Sequence, residues 1–160
     1  MKRRRFISIH FILSILLLAA CGTASPGESS SGSEGEKKSL EQPPDVSIQL
    51  AQQEIPHVKG TYCWKNESQG ICVDKAGSVE LTKDMEPTKV EKGETIRLSF
   101  QDLKPDDLHM TVWNNGEEKE QYEGQYEITV PTEEGVYVYD VFARWKDKGD
   151  QAYAFKVIVK

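Results

Sequence analysis

Beyond residue 21 of this 160-residue sequence, two cysteines, two histidines and three pairs of adjacent acids are the side chains whose types could do chemistry. Cys63 and Cys72 lie in Gly60-Thr61-Tyr62-Cys63-Trp64-Lys65-Asn66-Glu67-Ser68-Gln69-Gly70-Ile71-Cys72-Val73-Asp74. Redox thiols favour a Cys-x-x-Cys spacing at a helix start, where the thiolate is stabilised, and these cysteines are further apart. Zinc wants four ligands, and after the leader the sequence offers no second cysteine pair beside this one, only His57 and His109. His109-Met110 hints at a blue-copper set but lacks the nearby cysteine and second histidine. A turn centred on Glu67-Ser68 sets Cys63 opposite Cys72 on paired strands, and a disulfide is expected. Closing so short a loop contributes about 2–3 kcal/mol.

The acid pairs Asp106-Asp107, Glu117-Glu118 and Glu133-Glu134 could supply two carboxylates for glycoside hydrolysis, a chemistry decided by their separation. Adjacent acids at loop tips are more often solvated surface. The sequence holds no Gly-x-Ser-x-Gly elbow, no phosphate-cradling glycine loop and no His-Glu-x-x-His. No catalytic residue, metal or cofactor is therefore expected. Two alternatives stay open: a small envelope enzyme acting on wall glycans through surface carboxylates, and a metal-binding protein using His109, Met110 and a further soft ligand.

The third cysteine, Cys21, follows Leu18-Ala19-Ala20 and precedes Gly22, at the end of an apolar run that begins after Lys2-Arg3-Arg4-Arg5. Basic head, apolar middle and small residues form the pattern of a secretory signal. Leu-Ala-Ala-Cys-Gly resembles the lipobox of bacterial lipoproteins. That resemblance implies a signal peptide over residues 1–20, diacylation of Cys21 on sulfur, and tethering to the outer face of the cell membrane. The apolar stretch falls short of the roughly 20 residues that span a bilayer, whereas two acyl chains anchor stably.

All four leader charges are basic, so the chain after the leader carries 16 basic and 26 acidic side chains, a net charge of −10. A nucleic acid or anionic lipid partner is not expected, because both reward clustered Lys and Arg. Residues 21–44 are rich in Ser, Gly, Glu, Lys and Pro and read as a disordered linker. As a flexible chain the linker spans about 25 Å root-mean-square.

Residues 45–160 are enough for one domain. Strand signals dominate. Ile96, Leu98 and Phe100 alternate with Thr95, Arg97 and Ser99, and Gln125 to Val130 alternates likewise. Asn114-Asn115-Gly116-Glu117 is a hairpin signal between Leu108–Trp113 and a partner strand from Glu117 to Tyr122. Val136–Trp145 and Gln151–Val159 form the longest pair. Their rows Tyr137, Tyr139, Val141, Ala143, Trp145 and Tyr153, Phe155, Val157, Val159 should face the core, with Val136, Val138, Phe142 and Arg144 facing out.

These features predict an all-β, immunoglobulin-like antiparallel β-sandwich with an N-terminal disulfide hairpin at residues 60–74. Pro131-Thr132-Glu133-Glu134-Gly135-Val136-Tyr137 resembles the corner of immunoglobulin-like and fibronectin-type domains. The resemblance implies that the Tyr137 phenol ties the corner to the backbone and that Trp113 lies on the strand of the core tryptophan. No cysteine pair brackets Trp113, so membership of the immunoglobulin family proper does not follow. From Gly60 onward, the Gly-Thr-Tyr-Cys-Trp, Cys-Val-Asp, Gly-Val-Tyr-Val-Tyr and Tyr-Ala-Phe-Lys-Val segments resemble small lipoproteins of Gram-positive bacteria. This resemblance implies location and fold and supplies no activity.

Parity leaves open whether Leu108, Met110 and Val112 or His109, Thr111 and Trp113 face solvent. With Trp113 outside, Trp64, Trp113, Phe142 and Arg144 make a candidate binding surface for an envelope protein or a wall glycan. With Trp113 inside, the aromatics simply pack. The functional expectation is a lipid-anchored, non-catalytic binding or envelope accessory module.

Overall fold

The computed structural model describes residues 42–160, except Ser68. The signal segment, Cys21 and nearly all of the linker fall outside the described residues. In chain order the elements are β1 Val46–Leu50, β2 Gln53–Glu54, β3 His57–Lys65, β4 Gly70–Val73, α1 Ser78–Leu81, β5 Thr88–Val90, β6 Thr95–Phe100, β7 Asp107–Asn114, β8 Glu117–Glu123, β9 Glu127–Thr129, β10 Gly135–Trp145 and β11 Gly149–Val159.

The strands form an all-β sandwich. The smaller sheet has the order β2-β1-β6-β9, and the larger has β4-β3-β11-β10-β7-β8 with β5 alongside β11. Every pairing is antiparallel except β5 with β11. The two alternating rows on β10 and β11 are buried, as their period-2 patterns require. They meet Val46, Ile48, Leu50, Ile96, Leu98 and Ile128 of the smaller sheet in one core. Tyr139 and Phe155 stack in parallel with ring centres 4.6 Å apart. Trp64 meets Trp145 edge to face at 5.5 Å, and Phe100 packs edge-on against Tyr126, Trp145 and Tyr153.

Turn chemistry fixes the register. Asn115 and Gly116 take φ of 51° and 77°, closing the β7–β8 hairpin as the Asn-Gly pair predicts. Cys63 stands directly opposite Cys72 with an S–S distance of 2.06 Å and Cα atoms 4.1 Å apart. The Tyr137 hydroxyl donates to the Glu133 carbonyl at 3.1 Å, which is the corner tie that the immunoglobulin-like resemblance implies.

The structure adds detail that alternation leaves open. The folded body starts before Asp45: Pro43 and Pro44 are buried, and the Tyr153 hydroxyl donates to the Pro44 carbonyl. Trp113 is not a core tryptophan; Leu108, Met110 and Val112 fill the core, so Trp113 lies on the outer face with His109 and Thr111. Val138 points outward, as its parity predicts, yet is only 8% exposed. Its cross-strand partner is Trp113, and α1 packs against the same strand. Edge strand β8 carries Glu117, Glu118, Glu120 and Glu123 and a register shift opposite Val112 and Trp113, devices that discourage further sheet pairing.

Candidate functional site

The outer face of the larger sheet gathers the features that could recognise a ligand. On β7 and β10 the cross-strand partners are Trp113 with Val138, Thr111 with Asp140, His109 with Phe142 and Asp107 with Arg144. Asp140 is the one charge inside an otherwise apolar run from Val136 to Ala143, and its parity turns it away from the core. Beside it, Gly60 and Ala152 approach so closely that a Cβ at position 60 would lie 3.0 Å from the Ala152 methyl. Small residues at this spot let α1, a single helical turn, lie against β3, β10 and β11. The Thr82 hydroxyl closes that turn by donating to the Ser78 carbonyl at 2.9 Å.

Two hollows flank α1 and share Asp140. One is a small cavity of about 140 Å³ floored by Gly60, Ala152 and Ala154. The other is an open cleft of about 430 Å³ lined by Gly77, Ser78, Val79, Glu80, Trp113, Gly116 and Asp140. Burial pushes the Asp140 carboxyl above the ordinary carboxylate range, and a hydrogen bond with Ser78 partly opposes that. No ion pair to Asp140 forms among the described residues. Glu80, on the cleft wall, is bonded by Lys83. The indole Nε1 of Trp113 is shielded from solvent without a hydrogen-bond partner, so the carbon face and edge of the ring are what the cleft presents.

The four residues expected to form a binding surface do not form one patch. Trp64 is 3% exposed and packs on Trp145, because its parity on β3 faces the core; it is removed from the surface. Trp113, Phe142 and Arg144 do share the outer face. About four residues of strand separate the Trp113 and Phe142 register positions, roughly 13 Å. Phe142 is 38% exposed beside His109. The Arg144 Nε and Nη2 both donate to Asp107 Oδ2, at 2.8 and 2.5 Å, which holds the guanidinium in place.

The remaining chemical groups are engaged elsewhere. His109 is exposed on the outer face and Met110 is buried on the inner one, as neighbours on a strand must be. Among the described residues no group of three or more His, Cys, Asp or Glu side chains is placed to hold a metal ion. His57 Nε2 lies 3.3 Å from Asp45 Oδ1. Burial works against the charge on Asp45, but Lys59, His57 and the Val46 N–H hold its carboxyl below the usual range.

Asp106 accepts the Lys146 backbone N–H, Glu117 pairs with Lys119, Glu118 accepts from Gln121, and Glu134 pairs with Lys92. A larger hollow of about 740 Å³ at the end of the sandwich is lined by Lys65, Arg144, Lys146 and Lys148 and by Asp106, Asp107, Asp147 and Asp150. Its opposite charges balance, and three of its acids clamp neighbouring backbone or Arg144, which fits a structural turn.

Asp140, Ser78 and Val79 were not singled out by sequence reasoning. The signal available for Asp140 was a lone carboxylate in the middle of an apolar strand. No protein-family model matches the chain, and the comparison with curated proteins gives no match. Among the described residues no helix is long and apolar enough to cross a membrane.

Proposed function

We propose that this chain is a lipid-anchored extracytoplasmic recognition module, non-catalytic, that engages an envelope protein or a wall glycan through the outer face of its larger sheet. The observation that carries the reading is the cleft in which Trp113 and Asp140 meet. An aromatic ring beside an under-used polar group is how small recognition sites combine affinity with orientation. The anchoring part rests on Lys2-Arg3-Arg4-Arg5, the apolar run and Leu18-Ala19-Ala20-Cys21-Gly22. The non-catalytic part rests on the commitment of Asp106, Asp107, Glu117, Glu118 and Glu134 to backbone, arginine, lysine and amide partners.

Two measurements test it. Cells fed an alkyne-tagged palmitate should label the wild-type protein and not Cys21→Ala; an unlabelled wild-type protein rejects the anchor. Cross-linking in intact cells, followed by purification of the anchored protein, should give one adduct with protein or glycan that Trp113→Ala weakens at least about fivefold. An adduct unchanged by Trp113→Ala, or no adduct, rejects this face as the recognition surface.

A further inference from the structure

We infer that the Trp113–Asp140 cleft takes a lysine-type alkylammonium group. This rests on the recognition reading above and specifies what that site recognises.

Charge supplies the first argument. The cleft is lined by Asp140 and Glu80 and by no Lys, Arg or His. Glu80 already has Lys83, and Lys75, which lines the other hollow beside Asp140, gives its Nζ to the Lys59 carbonyl, so Asp140 is the carboxylate on the wall outside any ion pair among the described residues. A half-buried carboxylate lacking a counter-charge is unfavourable for the free protein, and an incoming ammonium relieves it. The same wall repels anions.

Shape supplies the second. Val79 is 43% exposed, and with Gly77, Gly116 and Trp113 it gives the cleft an apolar lining beside the carboxylate. A tetramethylene stem matches such an approach, with its head in water until it meets the charge. The indole ring adds attraction for a cation beside it.

The number of free acceptors supplies the third. Ser78 lines the cleft beside Asp140, and its hydroxyl competes with a ligand for that carboxyl. A planar guanidinium is best bound by both carboxylate oxygens at once, whereas an ammonium is a point charge content with one. The cleft should therefore prefer lysine to arginine.

The test uses ¹⁵N-labelled full-length protein in detergent micelles, following the Trp113 indole N–H resonance. The probes are Nα-acetyl-lysine-N-methylamide, its norleucine analogue without the amine, its arginine analogue, and 1,5-diaminopentane. The lysine amide should shift the Trp113 resonance saturably, and the norleucine and arginine amides should bind at least about tenfold more weakly. Asp140→Asn should weaken the lysine amide by about tenfold or more while its near-ultraviolet circular dichroism stays native.

Diaminopentane binding as tightly as the amide assigns the site to free diamines, and weaker binding assigns it to a lysine side chain. Equal binding of the lysine and norleucine amides by the wild-type protein overturns the inference without recourse to any variant. If Trp113→Ala loses the cellular adduct while Asp140→Asn retains it, the recognition reading stands and the ammonium site falls.

Discussion

Gly149 packs against Cys63 so closely that a Cβ at position 149 would stand 1.9 Å from the Cys63 carbonyl oxygen. Its φ of +143° is also one that L side chains rarely adopt. Gly149→Ala should therefore cost about 2–4 kcal/mol, by clash and by backbone strain together. Urea denaturation checks this; an unchanged midpoint would contradict the close approach of β3 to β11.

The disulfide closes the β3–β4 hairpin, linking directly opposed residues. Replacing Cys63 and Cys72 with Ser should lower stability by about 2–3 kcal/mol through the freer unfolded chain. The wild-type protein treated with dithiothreitol should melt with the double variant. Different melting temperatures for the two would show that the bridge is not what separates them.

Tyr137 is buried, and its hydroxyl has the Glu133 carbonyl as its acceptor. Tyr137→Phe keeps the ring and removes that bond, so a loss of about 1 kcal/mol is expected. Equilibrium denaturation measures it. No loss would mean that the corner is held by packing alone.

Asp140 lends itself to a pH test because burial raises its carboxyl above the ordinary value. Charge on a group so shifted lowers stability. The penalty is fully present above the folded-state value and gone below the unfolded one. Asp140→Asn should thus melt higher than wild type at pH 7, and the two should converge as pH falls to about 3, below the ordinary Asp value. Thermal melts across that range decide it; a variant less stable at pH 7 would show that the carboxylate has a stabilising partner.

What could be read from residue order was whatever local chemistry controls. Asn115-Gly116 set a turn because both accept positive φ, and the Cys63 and Cys72 spacing set a hairpin. Alternation told which residues of β10 and β11 share a face, and the apolar rows named the inner one. On β7 both rows hold an apolar residue, so only the presence of the smaller sheet decides that Met110 goes in and Trp113 out.

The site was less legible for the same reason. Asp140 reads as an ordinary outward charge until α1 covers it, and α1 is four residues long, too short to show a helical period. Trp64 sits in a hairpin that looks peripheral, yet Trp145, some eighty residues later, draws it into the core. The parallel contact of β5 with β11 has no local signature at all.

The position of β11 has one more consequence. This strand is bonded to β10, β3 and β5, so it is the keystone of the larger sheet while following all three of its partners in chain order. On a chain made amino-end first, β3 can pair with β4 at once, but its other neighbour in the sheet arrives only with β11. The hairpin of β10 and β11, closed over a short turn, is the cheapest large piece in loop entropy, and earlier strands would then condense onto it. The larger sheet is thus completed late, by a strand that joins partners made well before it.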